Sequence, residues 1–242
     1  MKNPCLLISF FLSFSVSAMK SEKSCGLVFN ISELTVKNGE MAAYDRVAES
    51  NITKSLASED GTLGMYSIKR KSDTNQAYMI EIYSDSRAYQ KHKDSPQYKE
   101  FLIRSPEILD KNHKRMINLT PKFMGDKKLH QTKYTINNLV IVEVKPEFNA
   151  AFSSVVVPEM KQSLKVENGV LAMYAGIETT NPTRWYFYEI YASEADYQKH
   201  RQTPHFKDYL KLTANMTTRK DSIPVKPEVL MNKGGLIFVC KN

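Results

Sequence analysis

A chain of 242 residues, 42% apolar and 25% charged, has the composition of a folding globular protein, which excludes a disordered one. Its length allows one large domain or two of about 100–120 residues each. The formal charge of +8 comes from 34 basic and 26 acidic residues with no Lys/Arg run longer than three, which speaks against the clustered basic stripe of a nucleic-acid binder and leaves a solvated surface with a mild preference for anions.

Residues 1–18 come first. Lys2 gives a positive start, Cys5 to Val16 form the apolar run CLLISFFLSFSV, and Val16-Ser17-Ala18 supplies small residues for cleavage. This is the layout of an export signal. The run is shorter than the about 20 apolar residues a spanning helix needs, and no later run is long enough. The expected mature protein is secreted or periplasmic, with no membrane span. Cleavage also removes Cys5 and leaves Cys25 and Cys240, which an oxidising compartment favours as a disulfide closing almost the whole mature chain. Asn-X-Ser/Thr sequons begin at Asn30, Asn51, Asn118 and Asn215.

The stretch YQKHKDSPQYKEFL, Tyr89 to Leu102, returns as YQKHRQTPHFKDYL, Tyr197 to Leu210. At an offset of 108, Val36–Leu102 lies on Val144–Leu210 without a gap, with 23 identities in 67 positions. Self-similarity at a fixed offset is the mark of a duplicated unit. The expected layout is a first unit at 26–125, a polar and basic linker at 126–136, a second unit at 137–232, and a C-terminal strand within 233–242.

Each unit has the same readable periods. Leu139–Val144 is a short apolar run, as a buried strand is. Phe148, Phe152, Val155, Val156, Met160 and Leu164 then form one helical stripe, which Met41, Tyr44, Val47, Ile52 and Leu56 repeat in the first unit. Gly61 and Gly169 are expected to end these helices in the left-handed conformation. Strands follow from Leu63 and Leu171, and a polar turn leads to AYMIEIY or WYFYEIY, a hairpin signal. Ser86 or Ser193 caps a second helix, which Pro96 or Pro204 kinks or breaks. A last strand runs near Ile117–Phe123 and Val225–Leu230, and GLIFVCK adds one more. The order βαββαβ is that of the ferredoxin-like α+β unit. Its helices cover one sheet face, and the other must also be buried. Two units packed sheet to sheet, as an intramolecular dimeric α/β barrel, satisfy that need within one monomeric pseudo-dimer.

WYFYEIYASEADYQKHRQTPHFKDYL, Trp185 to Leu210, resembles the signature of the antibiotic biosynthesis monooxygenase family: an acidic residue and an aromatic on a strand, a Ser-Glu helix start, a His, then Ser/Thr-Pro-His-Phe and an aromatic. The first unit is similar, with Gln97 where the second has His205. The resemblance implies a ferredoxin-like fold that pairs into a barrel, and oxidation of quinols or polycyclic phenols by molecular oxygen without metal or flavin in some members. Related branches degrade haem; their Trp falls at Tyr83 and Tyr191, and their haem-ligating His at Leu102 and Leu210, so that mechanism has no support here.

The candidate chemistry recurs in both units. Glu81 and Glu189 share a strand face with Met79 and Tyr83, and with Phe187 and Tyr191. A carboxylate among apolar neighbours has a raised pKa and can take a phenolic proton; the alternative is a structural carboxylate. His92 and His200 offer a base or shuttle near neutral pH, or a packing role. Tyr66, Tyr174 and Trp185 suit the wall of a pocket for a small aromatic molecule, and equally a core. His205 lies five residues after His200, which is not a same-face helical spacing, so no metal site is expected. With no phosphate loop and no Cys/His cluster, no cofactor is expected either. The expected function is oxidation of a small phenol or quinol by Glu189, Tyr191 and His200, with Glu81, Tyr83 and His92 as the second set. The alternative is a non-catalytic binding module for an apolar molecule, haem included.

Overall fold

The computed structural model describes residues 26–240. Its order is β1 (Val28–Val36), α1 (Met41–Ser58), β2 (Thr62–Arg70), β3 (Gln76–Tyr83), α2 (Ser86–Asp94), α3 (Pro96–Ile108) and β4 (Leu109–Asp126). The second unit follows with β5 (Ile136–Val144), α4 (Asn149–Val166), β6 (Val170–Glu178), β7 (Arg184–Tyr191), α5 (Glu194–His200), α6 (Pro204–Thr213), β8 (Thr217–Ile223) and β9 (Val225–Asn232), and the tail adds β10 (Ile237–Val239). The proposed export signal and Cys25 lie outside the described residues. No helix among them is long and apolar enough to cross a membrane.

The expected break in the second helix is present. Ser95 and Thr203 cap the new helices α3 and α6 by accepting from Tyr98 N and Phe206 N, and the proline takes the first helical position, where its missing N–H costs nothing. Two local expectations need correction. The cap of α2 is Asp85, whose side chain accepts from Ala88 N at 2.8 Å, with Ser86 already helical. Gly61 and Gly169 do not have positive φ. A Cβ at Gly61 would lie 2.3 Å from Ala88 Cβ, and one at Gly169 would lie 2.2 Å from Asp196 Cγ. These glycines let the next helix start against the strand; they do not end the one before.

The ten strands form one antiparallel sheet in the order β8-β5-β7-β6-β4-β1-β3-β2-β9, with β10 on β4. Each unit contributes the ferredoxin-like order, and the units join edge to edge: β4 pairs with β6, and β9 with β2. This explains why β4 is 18 residues long, where the expected strand was about seven. Its first half pairs with β1 and its second half with the other unit, so an edge that would be left open is satisfied. In the second unit the same path is interrupted at Pro224, giving β8 and β9. The expected closed barrel is therefore a curved sheet: β8 and β9 stand at its two ends, and no ladder joins them among the described residues.

Period two divides the side chains between two layers. Phe29, Ile31, Tyr66, Ile80, Tyr174 and Tyr188 belong to one interior built by both units. The opposite face carries one cluster per unit beneath the helices, around Phe152, Met160 and Trp185 in the second and Tyr44, Ile52 and Met65 in the first. Each unit thus buries the sheet face that the other would leave bare, as expected. Of the four sequons, Asn30 and Asn51 are buried, whereas Asn118 and Asn215 are exposed.

Candidate functional site

The region between sheet and helices in the second unit holds a partly open cavity of about 100 Å³, lined by Val140, Val156, Met160, Phe187, Phe206 and Tyr209, with Glu159, Glu189 and Lys220 as its charged groups. Strand β7 delivers Glu189 and Phe187, α4 delivers Glu159, and β8 delivers Lys220. The first unit has the same place, lined among others by Met79, Glu81, Asn51, Tyr98, Phe101 and Lys114, but its volume is about 30 Å³. That is room for a water or two, whereas 150 Å³ holds a benzene ring.

Tyr191 donates its hydroxyl to Glu189 Oε2 at 2.9 Å, and Tyr83 donates to Glu81 Oε1 at 3.1 Å. Burial, then the neighbouring carboxylate, raises both tyrosines well above their ordinary range, so they stay protonated donors. Tyr191 is fully buried, and its ring packs on Tyr197 and His200 at 5.1 and 5.5 Å. It holds Glu189 from behind and does not line the cavity. Burial raises Glu81, against the pull of His92 and the Tyr83 bond. Burial also lifts Glu159, to about 8; the Ser163 hydroxyl opposes this, and Glu189 and Glu167 add to it. Lys220 is held below the usual lysine range by burial, against Glu189.

His200 and His92 are buried; each turns Nε2 toward a carboxylate of the cavity wall, Glu159 at 4.0 Å and Glu81 at 3.9 Å, and Nδ1 toward a glutamate at the end of the first helix of its unit. His200 Nδ1 meets Glu167 Oε1 at 3.0 Å, and His92 Nδ1 meets Glu59 Oε2 at 3.1 Å. The separation expected between His200 and His205 does not hold. Because the chain breaks before Pro204 and restarts as α6, His205 Nε2 reaches the same Glu167 Oε1 at 2.7 Å. Burial raises Glu167, but the two histidine bonds outweigh it and hold the carboxyl below its ordinary value.

The three aromatic candidates lie elsewhere. Tyr66 and Tyr174, equivalent by the repeat, meet hydroxyl to hydroxyl at 2.6 Å in the shared interior, and Tyr174 donates to Asp126 Oδ2 at 2.6 Å. Trp185 stacks on Phe187, 5.9 Å between centroids, and its indole N–H donates to Asn149 Oδ1 at 2.7 Å. It stands one ring behind the cavity wall.

Sequence reasoning missed Glu159, Glu167 and Lys220. Glu159 falls within the apolar stripe of α4, between Val156 and Met160, where a carboxylate is out of place. Glu167 and Lys220 have equal partners in the repeat, Glu59 and Lys114. Recurrence of a charged residue was the available signal.

No curated protein matches the chain. A monooxygenase-like protein of Lactobacillus acidophilus is 29% identical, with a TM-score of 0.84 over 88% of this chain and 99% of its own. One of Fusobacterium nucleatum is 26% identical, with a TM-score of 0.84 over 89% and 99%. Both carry the two-unit arrangement nearly end to end. An anthrone oxidase-like protein, 11% identical with a TM-score of 0.54 over 87% of this chain and 94% of its own, shares the fold alone. The profile of the antibiotic biosynthesis monooxygenase family matches residues 27–102 and again 136–212, more than half the sequence, and the chain belongs to that family as a tandem duplication.

Proposed function

We propose that the chain is a cofactor-independent monooxygenase-like protein that oxidises a small phenol or quinol with molecular oxygen in the cavity of the second unit. The observation that carries this reading is the placement of Glu189 and Lys220 together on the wall of a cavity that is mostly apolar, with Glu159, Asn138 and Ser222 as its other polar lining. Glu189, oriented by Tyr191, accepts the phenolic proton, and Lys220 offsets the negative charge of the phenolate. The electron-rich phenolate then reduces oxygen. For a hydroquinone the balance is hydroquinone plus O2 giving hydroxyquinone plus water, with the substrate as the only electron source. His200 positions Tyr191 by packing. Glu81, Tyr83 and His92 form a second copy whose cavity is too small to admit a ring. At about 100 Å³ and partly open to solvent, the pocket is nearer in size to a single ring than to polycyclic phenols or haem, which need pockets of about 300 Å³ or more. We further propose that residues 1–18 direct export and that Cys25 and Cys240 form a disulfide.

A second reading, a binding module without turnover, is favoured by the same apolar walls. Trp185, the single tryptophan, reports cavity filling through Phe187. Oxygen uptake with a panel of monocyclic quinols, alongside Trp185 fluorescence, separates the two. Uptake that saturates with the fluorescence change supports the oxidase reading. Fluorescence saturation without uptake supports the binding module, and neither signal rejects both.

A further inference from the structure

We propose that Glu159, His200 and His205 form a binding site for a divalent transition-metal ion, in the second unit alone. One donor atom from each of the three lies within 4.8 Å of the others. Glu167 Oε1 takes His200 Nδ1 and His205 Nε2, which leaves His200 Nε2 and His205 Nδ1 as the ring nitrogens it does not engage. His200 Nε2 stands 4.0 Å from Glu159 Oε1. Metal–ligand bonds of about 2.0–2.2 Å put neighbouring donor atoms roughly 3–3.5 Å apart. Closing the His200–Glu159 pair therefore asks for a movement of about 1 Å or less, and His205 is the third member of the same cluster. Two imidazoles and one carboxylate with open positions suit zinc or iron(II). Glu167, bonded to the far nitrogen of both rings, is the supporting carboxylate that fixes tautomer and ring orientation in such sites.

Two further observations point the same way. His205 lies between two surface clefts, one bounded by Glu167 and the other by Glu159, so an ion has a path from solvent. Glu159 is buried and accepts from the Ser163 hydroxyl at 2.8 Å, and a carboxylate taken out of water favours a cation beside it. The first unit supplies the contrast. Asn51 replaces Glu159 and Gln97 replaces His205. There Gln97 Nε2 donates to Glu59 Oε1 at 2.6 Å, and Thr62 Oγ1 also donates to Glu59. That cluster is closed by hydrogen bonds from an amide and a hydroxyl and keeps only one imidazole.

This site does not depend on the proposed oxidation. The test is equilibrium dialysis of the chelator-stripped full chain against Zn²⁺ and Co²⁺, with the cobalt absorption spectrum recorded. The expected result is one ion per chain, a cobalt spectrum of nitrogen and oxygen ligation, and affinity at least about ten-fold weaker in His205→Gln and in Glu159→Asn. Each variant installs the residue that the first unit already folds around, and circular dichroism checks the fold. The parent's cobalt spectrum reports imidazole ligation independently of any variant. Absence of stoichiometric uptake by the parent, or uptake unchanged in both variants, overturns the site.

Discussion

The two units share a hydrogen-bond skeleton and differ in what fills it. Tyr83–Glu81 and Tyr191–Glu189, His92–Glu59 and His200–Glu167, and the Ser95 and Thr203 caps recur position for position. The cavity walls diverge: Met79, Asn51, Tyr98, Phe101 and Met116 in the first unit stand against Phe187, Glu159, Phe206, Tyr209 and Ser222 in the second. These exchanges, with Ser32 against Val140, accompany a change from about 30 Å³ to about 100 Å³ around an unchanged frame. Retaining the frame therefore marks the fold, and only the wall marks a site.

The sharpest way to break this comparison is to remove the same carboxylate from each unit. Glu189→Gln is expected to lower the rate of quinol oxidation by about 10²–10⁴-fold, the usual worth of a general base, with Glu81→Gln leaving the rate within about two-fold. Equal losses in an oxygen-uptake assay would mean that the units are not functionally divided.

The tail is the next asymmetry. Strand β10 pairs with β4, and Cys240 N donates to Lys122 O at 3.1 Å. If Cys25 and Cys240 are bridged as proposed, Cys240→Ser costs about 2–4 kcal/mol in denaturant unfolding, and reduction of the parent costs the same. A parent whose midpoint ignores reductant refutes the bridge.

A smaller effect comes from exchanging wall residues. Ser222→Met, which copies the first unit, is expected to weaken ring binding about ten-fold by Trp185 fluorescence, roughly the 1.4 kcal/mol of a partly filled cavity. Met116→Ser is expected to change stability by under about 1 kcal/mol, since Met116 is already 39% exposed.

Most of the fold was legible because the repeat confirmed each local signal twice. The hairpins, the proline break and the shared interior all follow from periods of two and of three to four residues. What stayed hidden was carried by pairing between units. The length of β4 depends on β6 as a partner, and nothing within LTPKFMGD or VLAMYAGIE announces it. The site was half legible: Glu189 and Tyr191 are neighbours as expected, because two residues on one strand share a face. The convergence of His200 and His205 was not, because the helical spacing rule assumes one continuous helix and Pro204 begins another. Tyr66 and Trp185 were misplaced for a simpler reason, that an aromatic on a strand does not declare which of two buried faces it joins.

An effect on stability and not on binding or rate lies at the seam itself. Asp126 and Asn232 are equivalent by the repeat once its two-residue deletion is allowed, and they adjoin each other. Asn232 takes Leu129 N on Oδ1 and donates to Lys127 O from Nδ2, both at 2.9 Å. Asp126 accepts Tyr174 O–H and Leu236 N. Burial raises the Asp126 carboxyl above its ordinary value, and these hydrogen bonds only partly oppose it. As pH climbs through the ordinary carboxylate range, the unfolded chain releases this proton first, so the folded state loses stability until its own carboxyl ionises. An asparagine keeps an acceptor for Tyr174 and has no proton to release. Asp126→Asn is therefore expected to match the parent near pH 3.5 and to exceed it at neutral pH. The gain is about 1.4 kcal/mol for each unit by which the carboxyl is raised. Thermal melts across that range check the sign. A variant that gains stability as pH falls would show that the charged carboxylate is what the seam requires.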